Sequence, residues 1–427
     1  MEKVLIITYY WPPAGGPGVQ RWLKFVKYFP AYGYEPIVLT VNSDKAEYPI
    51  RDNSLEKDVR PGQLIFRTDC AGLYDYYKKF TKAKAAPYSG FANEGNPNLK
   101  QKIARFIRGN FFLPDARKGW NKFAYRQAAE IIREYGVNKV ITTGPPMSTH
   151  LIGQKLKKLL GVYWIADFRD PWTDIFYYDK MYPTPIAKSI DRRYERGVLL
   201  TADKVVAVSP YLREILSRKS DRIPAAKIAV IENGYDAEDF NFTFTSPSTR
   251  EFIITYTGTL ASDYTLDAFI NSLKPFVGSG IMKLRFVGKV VPEVMKKLSE
   301  ELGDMVEFIP FVPHEEVVRH MQAASLLLLV IPNTPDNKGN LTGKLFEYLG
   351  SRTPILCVGP TDGNAASIIS SCKAGKTFDY NDEKGMTDYL RKRLQDWQEG
   401  NETASTGIER YSRKELAGLY VRLFQNR

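Results

Sequence analysis

Cysteine and histidine are scarce in this sequence of 427 residues, which has three of each. Three cysteines are an odd number and lack metal-ligand spacing, which argues against a disulfide framework or structural zinc and fits a reducing compartment. The histidines form no evident dyad. We interpret His150 as a structural residue on a helix, and His314 and His320 as helix residues without a partner. The cysteines are Cys70, Cys357 and Cys372.

Long apolar runs are also missing. The longest aliphatic run, Leu326–Ile331, is much shorter than the roughly 20 residues that a membrane-spanning helix needs. Met1–Lys3 leads into only a short apolar run before polar residues and prolines, which is not the pattern of a secretory signal. We therefore expect a cytoplasmic protein.

The overall composition is that of an ordinary globular chain. Hydrophobic residues make up 44%, charged residues 25%, and the mean hydropathy is −0.32. These values exclude the disordered and collagen-like classes. At roughly 150 residues per domain, the length predicts two or three domains.

Charge is spread unevenly along the chain. The net charge is +12, and residues 1–240 hold 38 Lys and Arg against 26 Asp and Glu, whereas residues 241–427 hold 22 of each. Between residues 78 and 126, 12 basic residues face only Glu94 and Asp115 and are interleaved with aromatic residues. This stretch fits either an anionic membrane surface or a solvated helical face. It carries no nucleic-acid recognition signature, so we expect no nucleic-acid partner.

Short apolar runs alternate with amphipathic segments, which predicts strands that alternate with helices. Strands that are apolar on both faces indicate parallel sheets covered by helices. The pattern predicts an α/β protein of two tandem Rossmann-like domains, at 1–235 and 236–410, joined near 233–250. The predicted strands are 3–8, 36–41, 63–66, 139–143, 162–166 and 204–208, then 252–256, 283–287, 306–309, 326–331 and 354–358.

Such sheets bind ligands beyond the carboxyl ends of their strands. We therefore expect a functional site in a cleft between two facing domains. The amphipathic tail, 411–427, is predicted to be a helix that packs either on the first domain or on the second.

Two loops of the first domain are candidate binding sites. The Pro/Gly loop 12–18 joins a strand to a helix, where backbone N–H groups could meet an anion, and Arg21 would add a charge there; a structural turn is the alternative. Residues 167–172 follow a strand directly. Asp167 could orient Arg169 and leave Asp170 for a sugar hydroxyl or a leaving group, or the three could form a strand-end salt bridge.

The densest candidate in the second domain is Asn340–Leu349. Thr342 or Gly343 would open a helix whose free N–H groups suit a phosphate. Lys344 and Glu347 are three residues apart and share a helix face. A lysine there suits a diphosphate, and a carboxylate one turn later can accept both hydroxyls of a ribose. An exposed ion pair is the alternative.

Here the sequence resembles glycosyltransferase family 4, a retaining family with the two-Rossmann GT-B architecture. The resemblance is most specific in Thr342–Ile355, which is similar to the family's donor-nucleotide motif, and it extends over nearly the whole chain. Other segments match in order and spacing. They are Tyr9–Gly16, Asp167–Trp172, Ile231–Asp236, Tyr256–Leu260 and Phe286–Gly288.

The resemblance implies sugar transfer from a nucleotide diphosphate sugar, with retention of configuration and with no required metal or cofactor. It implies that Lys344 holds the diphosphate and that Glu347 binds the donor ribose. The catalytic residues so predicted are Lys344, Glu347, Lys289 and Asp170. The donor-binding residues are Gly16, Gly258, Thr259, Gly288, Asn340, Leu341, Thr342 and Glu347. The acceptor-side residues are Arg21, Asp167 and Arg169.

The chain departs from the family pattern at three places. Gly339 stands where the family usually has a glutamate, so the sugar-ring contact is expected from backbone near Asn340. No basic residue follows the Gly-Thr-Leu turn, and Lys289 is the substitute phosphate contact or else a solvated lysine. The usual strand-end histidine of the first domain is also missing, and Asp167–Asp170 occupies that region.

The leading hypothesis is therefore a glycosyltransferase that acts at the inner membrane face on a lipid-linked or surface-polysaccharide precursor. An epimerase of UDP-sugars shares the double-Rossmann shape and is the second hypothesis. A degenerate protein that binds a nucleotide or a polyanion without turnover is the third.

Overall fold

The computed structural model describes residues 1–71, 98–240, 251–261, 264–401 and 404–425. The first part of the basic stretch, with Lys78, Lys79, Lys82 and Lys84, lies outside the described residues. The chain divides into two compact units. The first unit comprises Met1–Glu232 with Leu416–Arg427, and the second comprises Asn233–Glu415.

The first unit is built on a parallel sheet of seven strands in the order β3-β2-β1-β4-β5-β6-β7. This is the Rossmann order with one strand added. The strands are β1 (Glu2–Ile7), β2 (Tyr34–Val41), β3 (Leu64–Thr68), β4 (Lys139–Gly144), β5 (Tyr163–Phe168), β6 (Lys204–Ala207) and β7 (Ile228–Val230). The helices are α1 (Pro17–Tyr28), α2 (Leu99–Phe111), α3 (Asn121–Tyr135), α4 (Ser148–Leu160), α5 (Pro185–Thr201) and α6 (Pro210–Ser217).

The second unit repeats the plan with six parallel strands in the order β10-β9-β8-β11-β12-β13. Its strands are β8 (Phe252–Leu260), β9 (Met282–Val290), β10 (Val306–Ile309), β11 (Leu326–Val330), β12 (Ile355–Val358) and β13 (Gly375–Phe378). Its helices are α7 (Asp267–Leu273), α8 (Pro292–Leu302), α9 (His314–Gln322), α10 (Gly343–Ser351), α11 (Asn364–Ser371) and α12 (Glu383–Gln398). The last helix is α13 (Arg413–Gln425).

Both faces of each sheet are buried. In β1, Leu5 and Ile7 join one apolar core while Val4 and Ile6 join another. The all-leucine stretch of β11 is split in the same way between two cores. Strand side chains alternate between faces, so a continuous apolar run is what a doubly covered strand requires.

The last helix packs into the core of the first unit. Leu416, Tyr420 and Phe424 are buried there. The ring of Tyr420 lies 5.2 Å from that of Trp22 and 5.3 Å from that of Phe25, both on α1. Most of α13 therefore belongs to the first unit although it follows the second in sequence.

The predicted fold class is confirmed, since both units are Rossmann-like. Two strands, β7 and β13, escaped prediction. β13 reads Gly375-Lys-Thr-Phe378 and has only one fully buried side chain, while β7 has three residues. Both lie at sheet edges, where a strand packs against fewer neighbours and needs less apolar character.

Candidate functional site

The Rossmann order places a topological switch point between β8 and β11, where the chain leaves the sheet in opposite directions. Ligands bind beyond the carboxyl ends of the strands at such a point. The end of β8 and the segment from the end of β11 into α10 meet this description. All the predicted donor-binding residues except Gly16 lie here or at the neighbouring end of β9.

The ends of β8 and β9 approach each other closely. Gly258 pairs with Gly288 across the two strands. A Cβ atom at Gly288 would lie 2.5 Å from the carbonyl oxygen of Gly258, and φ at the two glycines is +127° and +96°. Larger residues would clash there or be strained. The pair therefore leaves bare backbone at the strand ends, beside Thr259, which is exposed.

Lys344 lies directly over this backbone. Its Nζ atom would be 3.6 Å from a Cβ atom at Gly258. It donates a hydrogen bond of 2.5 Å to the hydroxyl of Tyr256 and lies 4.2 Å from the centre of that ring. Burial lowers the pKa of Lys344 to about 8, with Glu347 acting in the opposite direction. A desolvated ammonium group with no carboxylate bound to it is a strong site for an anion.

Glu347 lies one turn further along α10 and contacts α9. Its Oε1 atom is 3.3 Å from Nε2 of His314, and the two side chains are 21% and 39% exposed. Burial would raise the pKa of Glu347, but His314, Arg413 and Lys344 outweigh it, so that the pKa lies below the usual value. The carboxylate is thus ionised at neutral pH and partly accessible.

The expectation that His314 has no partner is wrong, because His314 is the first residue of α9 and reaches Glu347. The alternative of a direct ion pair between Lys344 and Glu347 is also not what is observed. Each has its own partner, a tyrosine hydroxyl and an imidazole respectively.

The start of α10 supplies the backbone groups that a diphosphate needs. Thr342 is the N-cap residue, and its side chain makes no capping hydrogen bond. Its Oγ1 atom is buried without a hydrogen-bond partner among the described residues. Buried polar atoms are rarely left unpaired in native proteins. An unpaired hydroxyl at a helix N-terminus, where N–H groups are also free, indicates room for an anionic ligand.

Two further predicted residues, Asn340 and Leu341, directly precede this start, and a third, Lys289, lies near the end of β9. Leu341 is buried, while Asn340 and Gly339 are half-buried. Gly339 ends a short 3-10 turn. The N–H groups of Gly339 and Asn340 donate to the carbonyl oxygens of Asp336 and Asn337, respectively. The backbone of Lys289 pairs with that of Thr259 across the strands. The side chain of Lys289 is exposed and makes no hydrogen bond or ion pair among the described residues. Its role as a phosphate contact stays a prediction.

The first unit has a different arrangement of charge. Arg21 and Asp167 are 1% and 0% exposed and form an ion pair of 3.0 Å. Asp167 also accepts hydrogen bonds from Trp22, Thr143 and Tyr420. Arg21 donates further bonds to the carbonyl oxygens of residues 231 and 232 and to Tyr420.

This arrangement corrects two expectations. Arg21 and Asp167 were predicted on the acceptor side, but both are fully buried and their charges cancel. Asp167 does not orient Arg169, since its four donors are other residues. The pair instead fixes α1 and α13 to the end of β5.

Arg169 and Asp170 are half-buried at the end of β5. Arg169 donates to the carbonyl oxygens of Gly144 and Pro145. Asp170 has no hydrogen bond or ion pair among the described residues. Burial raises the pKa of Asp170, and the nearby Arg169 moderates this. Asp170 is thus the acidic side chain of this loop that remains available to a ligand.

Gly16 and His150 are two other residues of the first unit for which the sequence makes a prediction. Gly16 is the N-cap residue of α1, and its contact with a phosphate stays a prediction. His150 is fully buried, hydrogen-bonded to Thr142 and stacked 4.5 Å from the ring of Phe168. Burial lowers its pKa to about 3, so His150 is a neutral core residue.

Among the described residues, no three His, Cys, Asp or Glu side chains converge as ligands for a metal ion. In the same part of the chain, every helix is too short or too polar to cross a membrane.

Sequence reasoning missed the partners of the site. Tyr256 comes from β8 and His314 from α9, whereas Tyr420, which contacts the buried Arg21–Asp167 pair, comes from the last helix. No local pattern links Tyr256 to Lys344, which lie 88 residues apart. Only the position of Tyr256, two residues before Gly258 and close to the carboxyl end of β8, could have indicated that it would reach the site.

Comparisons with known proteins bear on the first unit and on the overall fold. The model of Glycosyltransferase Family 4 matches residues 87–239, which lie almost wholly in the first unit. A search of curated protein sequences finds no match.

Solved structures resemble the whole chain at low sequence identity. Sucrose-phosphate synthase from Thermosynechococcus elongatus is 15% identical with a TM-score of 0.62, covering 100% of this chain and 98% of its own. HepE from Anabaena, solved with UDP, is 11% identical with a TM-score of 0.62, and both chains are covered completely. A UDP-N-acetylglucosamine 2-epimerase homologue from Listeria monocytogenes is 13% identical with a TM-score of 0.57, covering 99% and 95%. The chain thus has the two Rossmann-like domains of the GT-B fold, and residues 87–239 are similar to Glycosyltransferase Family 4.

Proposed function

We propose that this protein is a glycosyltransferase that moves a sugar from a nucleotide diphosphate sugar to a lipid-linked or polysaccharide-precursor acceptor, with retention of configuration and without a metal ion. The observation that carries the proposal is the pair of half-buried side chains on α10, Lys344 and Glu347, next to the bare strand ends of β8 and β9. The match to Glycosyltransferase Family 4 and the UDP bound by HepE support it.

The donor fits these groups one by one. The diphosphate accepts hydrogen bonds from the Lys344 ammonium, the Thr342 hydroxyl and the N–H groups at the start of α10. The ribose hydroxyls donate to Glu347. Gly258 and Gly288 let the nucleotide approach the backbone, and Asn340 and Lys289 complete the predicted contacts.

In the reaction, the bond from the anomeric carbon to the diphosphate oxygen breaks, and a bond from the same carbon to the acceptor oxygen forms. Negative charge grows on the leaving diphosphate, where Lys344 and the helix N–H groups are already oriented. Such preorganised stabilisation is usually the largest electrostatic contribution to catalysis. The departing phosphate oxygen takes the proton of the acceptor hydroxyl, so that no separate base is needed.

The acceptor is assigned to the first unit. Asp170 follows the end of β5 and has no hydrogen bond or ion pair among the described residues, so its carboxyl group can bind an acceptor hydroxyl. A lipid-linked acceptor would place the enzyme at the cytoplasmic face of the membrane.

The test is incubation of the purified protein with UDP-, GDP- and dTDP-sugars in the presence and absence of a chelator, followed by assay of free nucleotide diphosphate. We expect slow release from one donor, unaffected by the chelator, and a product whose anomeric configuration matches that of the donor by NMR. Release that requires an added metal ion would contradict the metal-free mechanism.

The same incubation tests the two other hypotheses. A changed sugar on an intact diphosphate would favour an epimerase, which the resemblance to the Listeria homologue keeps in view. Binding of a nucleotide sugar without either product would indicate a protein that has lost turnover, as Gly339 in place of the usual glutamate suggests.

A further inference from the structure

The first unit exposes large apolar side chains on two adjoining helices, α2 and α5. Among the described residues, 15 large hydrophobic side chains are exposed, and eight of these lie between residues 99 and 111 or between 176 and 190. Leu99, Phe111 and Ile186 are 73%, 75% and 74% exposed. Singly exposed apolar residues are common, whereas a concentration of them marks an interaction surface.

The end of α2 packs against the segment that leads into α5, so the two sets of exposed side chains adjoin. Leu99, Ile103, Phe106 and Asn110 follow one another at helical spacing and so share a face of α2. Asn110 then joins α2 to the start of α5, since its amide donates to the carbonyl oxygen of Tyr182 and accepts from the N–H of Thr184. A Cβ atom at Gly109 would meet the backbone of Met181 at 2.4 Å, which shows how closely the two segments pack.

The apolar surface is bordered by cations. On α5 the two acidic residues, Asp191 and Glu195, are buried, while the exposed charges are the three arginines at positions 192, 193 and 196. These arginines have no ion-pair partner among the described residues. Lys100 and Lys102 on α2 are likewise exposed and form no ion pair within the part of the chain that the structure describes. The exposed acid nearby, Asp179, is neutralised by Lys188 at 2.7 Å.

Burying both carboxylates of α5 makes its outer face purely cationic. Asp191 accepts hydrogen bonds from Trp172 and Tyr178, and Glu195 is paired with Lys219. The two carboxylates of α5 therefore bind side chains of neighbouring segments and do not contribute charge to the exposed face of the helix. No acid is left on the outer face to balance the arginines.

We propose that the α2–α5 face, formed by the exposed residues of Leu99–Phe111 and Pro185–Thr201, docks on an anionic lipid bilayer. Apolar side chains enter the boundary between headgroups and acyl chains while Lys and Arg stay at the level of the phosphates, as in interfacial helices. The charge is complementary to such a surface. It disfavours a second copy of this chain, because two uniformly cationic faces repel each other.

This inference deepens the proposed function, since it gives a lipid-linked acceptor a surface on which the first unit would meet it. It does not depend on the donor site. Vesicle binding is measured without any nucleotide sugar, and nucleotide release is measured separately, so each can fail alone.

The test is co-sedimentation of the full chain with vesicles of phosphatidylcholine containing phosphatidylglycerol, compared with pure phosphatidylcholine vesicles. We expect binding to the anionic vesicles that weakens as salt is raised. The triple variant Arg192→Gln, Arg193→Gln, Arg196→Gln should lower the partition coefficient about a hundredfold, since each cation near such a surface contributes about fivefold. Phe106→Ser with Ile186→Ser should lower it about tenfold or more through lost apolar burial.

The matched control neutralises three exposed lysines of the second unit, Lys373, Lys376 and Lys384, by substitution with glutamine. It changes the net charge equally and should leave binding within about twofold. The substituted residues are exposed, so thermal unfolding should not change. Binding that the control lowers as much as the arginine variant, equal binding to neutral vesicles, or a dimer broken by the same substitutions would each overturn the proposal.

Discussion

The two units place charged side chains at equivalent ends of their sheets but treat them differently. In the first unit, Arg21 and Asp167 are fully buried, paired with each other and surrounded by further hydrogen bonds. In the second unit, Lys344 and Glu347 are half-buried. Lys344 donates to a neutral tyrosine hydroxyl, and Glu347 contacts an imidazole that is charged only when protonated.

The pKa values reflect this difference. The pKa of Asp167 lies below its usual value, because the charge of Arg21 outweighs the burial that would raise it. The pKa of Lys344 is lowered to about 8, because Glu347 offsets the effect of its burial only in part. A buried charge that is neutralised by a partner stabilises the fold. A buried charge that lacks such a partner is available to bind a charged ligand.

The largest effect should come from breaking the compensated pair. Asp167→Asn leaves the buried charge of Arg21 without its partner, which costs about 3–5 kcal/mol. We expect the thermal unfolding midpoint of the first unit to fall by about 10 °C. Asp170→Asn is the matched control, because Asp170 has no partner among the described residues, and it should change the midpoint little. Equal midpoints for the two variants would contradict a structural role for the Arg21–Asp167 pair.

Removing the uncompensated charges should affect activity instead of stability. Lys344→Ala and Glu347→Ala should each lower kcat/KM for the donor on the order of 10²-fold, because we propose that both groups contact the donor. The unfolding midpoint should change little. Lys296→Ala, on an exposed part of α8, is the control and should retain full activity. Full activity of both site variants would show that the donor binds elsewhere.

The pH dependence of donor binding should report the pKa of Lys344. The ammonium form, which we propose binds the diphosphate, is present below about pH 8 and is lost above it. If only this form binds, the Kd for the nucleotide diphosphate should rise about tenfold between pH 7 and pH 9. Isothermal titration calorimetry measures this directly. Lys344→Ala should remove this dependence, and an unchanged profile in that variant would assign it to another group.

The smallest effects should come from the residues that hold the site in place. Tyr256→Phe removes the hydroxyl that accepts from Lys344, and His314→Ala removes the contact with Glu347. Each loss corresponds to about one hydrogen bond, so KM for the donor should rise about fivefold with kcat nearly unchanged. Kinetics with saturating donor separate the two parameters. A fall in kcat as large as the fall in kcat/KM predicted for Lys344→Ala would make either residue part of the catalytic group.

The sequence predicts the fold and the helix that carries the candidate site, because both depend on local patterns. Apolar runs identify the buried strands, and the Thr342–Ile355 segment identifies α10. What it does not predict are contacts between distant residues. Arg21 and Asp167 lie 146 residues apart, and Lys344 and Tyr256 lie 88 apart. Judged by its charge alone, Arg21 resembles an anion-binding residue. Only the fold shows that its guanidinium group already contacts Asp167 and Tyr420.

The most direct measurement is a crystal structure of the protein soaked or grown with UDP. We predict that the diphosphate lies about 3 Å from Nζ of Lys344 and near the Thr342 hydroxyl, with the ribose hydroxyls donating to Glu347. A nucleotide bound away from α10, or one that leaves Lys344 on Tyr256 and Glu347 on His314 without touching either, would contradict the assignment of the donor site.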